Sequence, residues 1–157
     1  MIVVKSRSKR AISIADLGLE MSSMRVLVAE DFAPFGEFIR SILGERPDVL
    51  VICEVTDGLE TVQKAELLEP DLVLLDIGLP TLNGVDAARQ IRKLAPESKV
   101  IFLSQESSCE VVQEALNSGA WGYVLKTSAA IDLLAAMDAV LEGRHFFSAE
   151  LAIQNIN

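Results

Sequence analysis

The stretch Leu72-Val73-Leu74-Leu75-Asp76-Ile77-Gly78-Leu79-Pro80 decides the fold. Four apolar residues in a row, with no polar alternation, read as a strand buried on both faces and therefore central in a sheet covered by helices on each side. The acidic residue at its end, with Gly78 and Pro80 behind it, reads as a strand opening into a turn. On the N-terminal side, Val26-Leu27-Val28-Ala29 and Val49 to Val55 are two further strands; on the C-terminal side, Val100-Ile101-Phe102-Leu103 and Tyr123-Val124-Leu125 are two more. Between them apolar residues recur at helical spacing. Phe35, Phe38, Ile39, Ile42 and Leu43 mark the first helix, with Pro34 tolerated in its first turn, and Leu59, Val62 and Ala65 to Leu67 mark the second. Val85, Ala88, Ile91 and Leu94 mark the third, Val111, Val112, Ala115 and Leu116 the fourth, and Ile131, Leu134, Met137, Val140 and Leu141 the fifth. Five strand–helix units between residues 24 and 143 are too few for a closed eight-stranded barrel. An α/β fold with an open, doubly wound, five-stranded parallel sheet and five helices is predicted.

The remaining composition bounds the chemistry. The chain has 157 residues, half of them hydrophobic, enough for one domain with a substantial core. Fourteen Lys and Arg against 23 Asp and Glu give a formal charge of −9, the wrong sign for a surface that neutralises a phosphate backbone, so no nucleic acid is expected on this chain itself. The charge is uneven: Lys5, Arg7, Lys9, Arg10, Asp16 and Glu20 leave the first 24 residues at +2 and residues 25–157 at −11. Residues 1–23 therefore read as an extension, disordered or arising from a start codon placed too early, on a domain spanning 24–143. No apolar run reaches 18 residues, and Asp16 interrupts the short apolar stretch after the basic cluster, so neither a membrane span nor a signal peptide is expected and the cytoplasm is the default. Cys53 and Cys109 form no C-x-x-C pair and sit in apolar-periodic stretches, which predicts reduced core residues. His145 stands alone, leaving no histidine cluster for zinc.

The residues at the strand ends carry the function. Ligands of such sheets bind outside the carboxyl ends of the strands. Strand one ends in Glu30-Asp31, strand three in Asp76, strand four in Ser104 and strand five in Lys126. In the order 2-1-3-4-5, strands one and three are neighbours about 4.8 Å apart, so three carboxylates crowd one pocket. Like charges that close raise one another's pKa unless something compensates. A hard divalent cation does so most simply, and Mg²⁺ held by one or two carboxylates with several waters fits best. Lys126, two strands from Asp76, has a stem long enough to bring its ammonium into the same pocket.

Glu30-Asp31, Asp76 with Ile77-Gly78-Leu79-Pro80-x-x-Asn83-Gly84, Ser104 and Tyr123-x-x-Lys126 together resemble the receiver (CheY-like) domain of two-component response regulators, over the span from Met24 to Gly143. The resemblance implies that Asp76 accepts a phosphoryl group from the phosphohistidine of a sensor histidine kinase, and that Glu30, Asp31, Asp76 and the Gly78 main-chain carbonyl hold Mg²⁺. It implies that Ser104 and Lys126 contact the phosphoryl oxygens, and that Tyr123 is an aromatic switch turning inward on activation. It implies a switch that handles its own phosphoryl group rather than a turnover enzyme. Gly119-Ala120-Trp121-Gly122-Tyr123-Val124-Leu125-Lys126, Leu141-Glu142-Gly143-Arg144 and Phe147-Ser148-Ala149-Glu150-Leu151 are similar to the NarL/LuxR branch, whose members continue into a DNA-binding helix-turn-helix domain. Residues 144–157 then read as the start of a linker. Homodimerisation on phosphorylation is expected, through helix four, strand five and helix five or through helices one and five. The alternative is a stand-alone receiver, or a pseudo-receiver, that acts by protein contact only.

Plainer readings exist for single residues. An Asp at a strand end is an ordinary helix cap or turn former, Ser104 can cap helix four, and Tyr123 can pack with its hydroxyl at the surface. Trp121, Phe146 and Phe147 read as packing residues. Two rival chemistries fit less well. A flavin-binding phosphate loop after strand one is excluded by the acidic and apolar Glu30-Asp31-Phe32-Ala33-Pro34, and a phosphohydrolase of the haloacid dehalogenase kind carries a second Asp where this chain has Gly78.

Overall fold

The computed structural model describes residues 23–151; the expectations for the N-terminal extension and for 152–157 fall largely outside them. Six strands and five α-helices alternate: β1 Met24–Ala29, α1 Ala33–Leu43, β2 Val49–Val55, α2 Gly58–Leu68, β3 Leu72–Asp76, α3 Gly84–Leu94, β4 Lys99–Ser104, α4 Cys109–Asn117, β5 Gly122–Leu125, α5 Ala129–Leu141 and β6 Phe146–Phe147. A 3-10 turn, Lys126–Ser128, joins β5 to α5. The sheet is parallel throughout, in the order β2-β1-β3-β4-β5-β6.

The uninterrupted apolar run of β3 is explained by its two neighbours and two covering layers. Its five residues are all buried. Val73 and Leu75 point into the core beneath α2, α3 and α4, and Leu72 and Leu74 into the core beneath α1 and α5. That is the period-two alternation of a strand whose faces are both dry. Each Leu so placed contributes roughly 1.5–3 kcal/mol of transfer free energy.

Local capping places the helices. Asp57 accepts the Glu60 N–H at the start of α2, Asn83 the Asp86 N–H at α3, and Ser108 the Val111 N–H at α4. None of the candidate site residues is used as a cap, so the capping alternatives for Asp31, Asp76 and Ser104 do not hold. At Gly84 a Cβ would lie 2.4 Å from the Asp76 carbonyl oxygen. Only glycine lets the first turn of α3 sit against the end of β3.

Three sequence expectations need correction. The sheet has a sixth strand: Phe146 and Phe147 pair in parallel with Gly122 and Tyr123, beyond the expected end at Gly143. Cys109 is exposed at the first turn of α4 rather than in the core, and Cys53 is only half-buried. Several apolar residues counted on helix faces lie at the surface, Ile131 at 84% and Leu67 at 71% exposure.

Candidate functional site

The carboxyl ends of β1, β3, β4 and β5 converge on one cavity of about 820 Å³, whose lining includes Glu30, Asp31, Asp76, Gly78, Ser104 and Lys126. Every residue expected at the site lines it except Tyr123, which stands behind the loop from β4 to α4. Glu30, Asp76 and Ser104 are buried and Asp31 is exposed, so the cavity opens to solvent on the Asp31 side.

One ammonium serves two carboxylates. Lys126 Nζ lies 2.9 Å from Glu30 Oε1 and 3.4 Å from Asp76 Oδ2, and it donates a hydrogen bond to Glu30 Oε2 at 3.2 Å. It also stands 4.8 Å from the centre of the Phe35 ring, a cation–π contact. Glu30 Oε2 accepts the Phe32 N–H at 3.0 Å, and Asp76 Oδ1 accepts the Gly78 N–H at 3.1 Å. Burial pushes the Glu30 carboxyl above its ordinary range, against the downward pull of Lys126 and the Phe32 amide; the nearby Asp76 adds to the rise.

The donor set suits a hard divalent cation. Glu30, Asp31 and Asp76 each offer a carboxylate oxygen, all within 4.8 Å of one another. Glu30 Oε1 is buried with no hydrogen bond directed at it, although the ammonium is close. Three oxygen ligands with one under-satisfied buried atom fit Mg²⁺.

Tyr123 lies in the inward position of the two that the resemblance implies. The ring is fully buried against Phe102, with ring centres 6.2 Å apart. Its hydroxyl donates to the Glu106 carbonyl at 2.7 Å, and the Glu106 N–H donates to Ser104 Oγ at 3.0 Å. Burial pushes the phenol pKa up, with the Ser104 hydroxyl pulling the other way. The Glu106 carbonyl is a functional group that sequence reading missed, because a main-chain acceptor carries no residue signature. Trp121 is only half-buried and stacks on His145 at 4.5 Å.

A parallel, doubly wound sheet with acids at the ends of β1 and β3 and a lysine at the end of β5 has the architecture of the CheY-like class of α/β domains. The chain belongs to the response regulator receiver domain family, whose model matches residues 26–138. Among characterised relatives, it is 33% identical over 135 residues to the response regulator protein VraR of Staphylococcus epidermidis, covering 86% of this chain and 65% of that protein. To the transcriptional regulatory protein LnrK of Bacillus subtilis it is 34% identical over 134 residues, 85% of this chain and 61% of that protein. The chain thus spans just under two thirds of the length of these curated relatives. Its fold matches a LuxR-family two-component response regulator from Aurantimonas at a TM-score of 0.79 and 29% identity, over 83% of this chain and 94% of that one. The response regulator domain of Thermotoga maritima CheB matches at 0.71 and 32%, over 76% and 97%. The CheY-like fold and the receiver assignment read from the sequence both hold.

Proposed function

We propose that Asp76 is the phosphoacceptor of this receiver domain and that the phosphoryl group comes from a phosphohistidine of a sensor kinase. The observation that carries this reading is the placement of the only lysine among the described residues lining the cavity, 3.4 Å from Asp76 Oδ2, with two further carboxylates offering oxygens within 4.8 Å of that of Asp76. An Asp76 oxygen forms the new bond to phosphorus as the bond from phosphorus to the donor's imidazole nitrogen breaks, the imidazole leaving with the electron pair. Lys126 and Ser104 then face the phosphoryl oxygens with an ammonium and a hydroxyl. Glu30, Asp31, Asp76 and the Gly78 carbonyl are the groups to hold Mg²⁺. The chemistry that a bound Mg²⁺ supplies is neutralisation of the negative charge brought by the phosphoryl group.

Tyr123 acts as the switch, linked to Ser104 through the Glu106 main chain. The product is a modified protein, not a released metabolite; the phosphoryl group carries about −1.5 to −2 charges and replaces the single charge of the carboxylate it modifies, a net gain of about one negative charge or less. By analogy with the transcriptional relative and the LuxR-family neighbour, the output is control of a DNA-binding domain, with homodimerisation on phosphorylation. A cytoplasmic site of action goes with membership of the receiver family; no helix among the described residues is long and apolar enough to cross a membrane. Intact mass after incubation with Mg²⁺ and acetyl phosphate tests the reading. One phosphoryl adduct is expected, lost on removal of Mg²⁺ and in Asp76→Asn; an adduct that survives in Asp76→Asn refutes it.

A further inference from the structure

The sixth strand and the residues after it dock on the strand that carries Tyr123. The Phe146 N–H donates to the Trp121 carbonyl at 3.1 Å and the Ser148 N–H to the Tyr123 carbonyl at 3.0 Å. In return the Leu125 N–H donates to Ser148 Oγ at 3.0 Å, a fully buried bond. Ser148 is 0% and Leu151 1% exposed, an unusual depth for a segment past the last helix of the sheet. Phe147 is the in-register neighbour of Tyr123, and both Phe147 and Leu151 pack in the apolar cluster that contains the Tyr123 ring. A second tie reaches the turn behind Lys126, where Ser128 Oγ donates to Glu150 Oε1 at 3.0 Å.

These contacts extend a hydrogen-bonded path that starts in the cavity. Ser104 Oγ holds the Glu106 N–H, the Glu106 carbonyl holds the Tyr123 hydroxyl, and the Tyr123 main chain holds Ser148. The Tyr123 ring, Phe147 and Leu151 belong to one buried apolar cluster. A ring that leaves the cluster takes packing away from the docked segment, and the docked segment in turn favours the inward ring.

We infer that residues 146–151 form a strap whose docking on β5 is coupled to the inward position of Tyr123, so that the state of the Asp76 cavity is passed to the chain beyond residue 151. The ligand arm of this inference rests on the phosphoacceptor reading; the link between tyrosine and strap does not. Coupling is reciprocal in free energy. Any ligand that holds Tyr123 inward protects the strap, and any change that loosens the strap weakens binding of a phosphoryl mimic.

Amide hydrogen exchange on the full chain tests this, with the Leu74 amide in β3 as an internal reference for global opening. Without ligand, Tyr123→Phe is expected to speed exchange of the Ser148 and Leu125 amides at least about fivefold, and Tyr123→Ala by more, while Leu74 is unchanged. Beryllofluoride with Mg²⁺ is then expected to slow Ser148 exchange about tenfold in the wild type but not in Tyr123→Phe. Leu151→Ser, which leaves every cavity residue in place, is expected to weaken beryllofluoride binding about threefold to tenfold with Mg²⁺ affinity unchanged. Equal Ser148 exchange in wild type and both tyrosine variants overturns the strap. Loss of beryllofluoride binding in the wild type, with the tyrosine dependence intact, overturns the phosphoacceptor reading instead and keeps the mechanical link.

Discussion

Replacing Lys126 by Met removes the one ammonium that faces two carboxylates while keeping a stem of similar length. The Glu30 side chain is 1% exposed and Lys126 12%, so the pair is close to fully buried. Breaking a buried pair by deleting one partner typically costs about 3–5 kcal/mol, because the survivor is left charged and desolvated. Here the survivor has an escape. Burial already pushes the Glu30 carboxyl upward, and without the ammonium the main opposing pull is gone, so proton uptake becomes easier. The expected loss at neutral pH is therefore nearer about 2 kcal/mol than the full figure. The sign of its pH dependence is set by the raised folded value. A carboxyl with a higher pKa folded than unfolded contributes stability below its unfolded value of about 4.3 and loses it as pH rises through the folded value. Lys126→Met is thus least destabilised near pH 5 and most destabilised near pH 8. Urea unfolding of metal-free protein at pH 5, 7 and 8 measures the difference. A loss that is flat across that range, or a variant as stable as the wild type, refutes the shared-ammonium account of the cavity.

Three other perturbations test separate parts of the structure. Leu74→Ala empties a fully buried position in the central strand and is expected to cost about 3 kcal/mol, read from the urea midpoint at an unchanged slope. Gly84→Ala puts a Cβ against the Asp76 carbonyl and has to displace the end of β3; labelling by acetyl phosphate is expected to slow more than tenfold while most of the fold persists in circular dichroism. Arg46→Ala cuts the guanidinium bonds to Asp48 and Asp138. Both carboxylates are more than a third exposed, so the cost is about 1 kcal/mol and shrinks in 1 M NaCl. Arg46 holds the Asp48 carboxyl below its ordinary value, so this stabilisation is present above about pH 4 and is lost as pH falls through the folded value. Wild type and variant are expected to converge at pH 2 in thermal melts.

The central strand was legible because burial on both faces leaves no room for polar alternation, and β3 shows none. Its position then brought Glu30, Asp31 and Asp76 together from strand order alone. Lys126 was legible because its stem spans the strand spacing; that it sits nearer Glu30 than Asp76 was not, since side-chain preference depends on the buried Glu30 oxygens. A two-residue strand such as Phe146-Phe147 has no periodicity to read, and its place is set by pairing with β5 rather than by its own pattern. Cys109 counted as apolar but falls in the first turn of α4, off the face that packs. Ile131 misled for a related reason: α5 is apolar nearly all round, so spacing alone does not say which side faces the sheet. The inward Tyr123 has its hydroxyl on a main-chain acceptor at Glu106 and shares its apolar cluster with Leu151, neither of which a residue pattern displays.

The central claim is that Asp76, and no other acid in the cavity, takes the phosphoryl group. Borohydride reduction of the acetyl-phosphate-labelled protein converts an aspartyl phosphate to homoserine, and peptide mass spectrometry then locates it. Homoserine at position 76, dependent on Mg²⁺ during labelling, is the predicted result. Reduction products at Asp31 or Glu30, with Asp76 intact, would contradict the account.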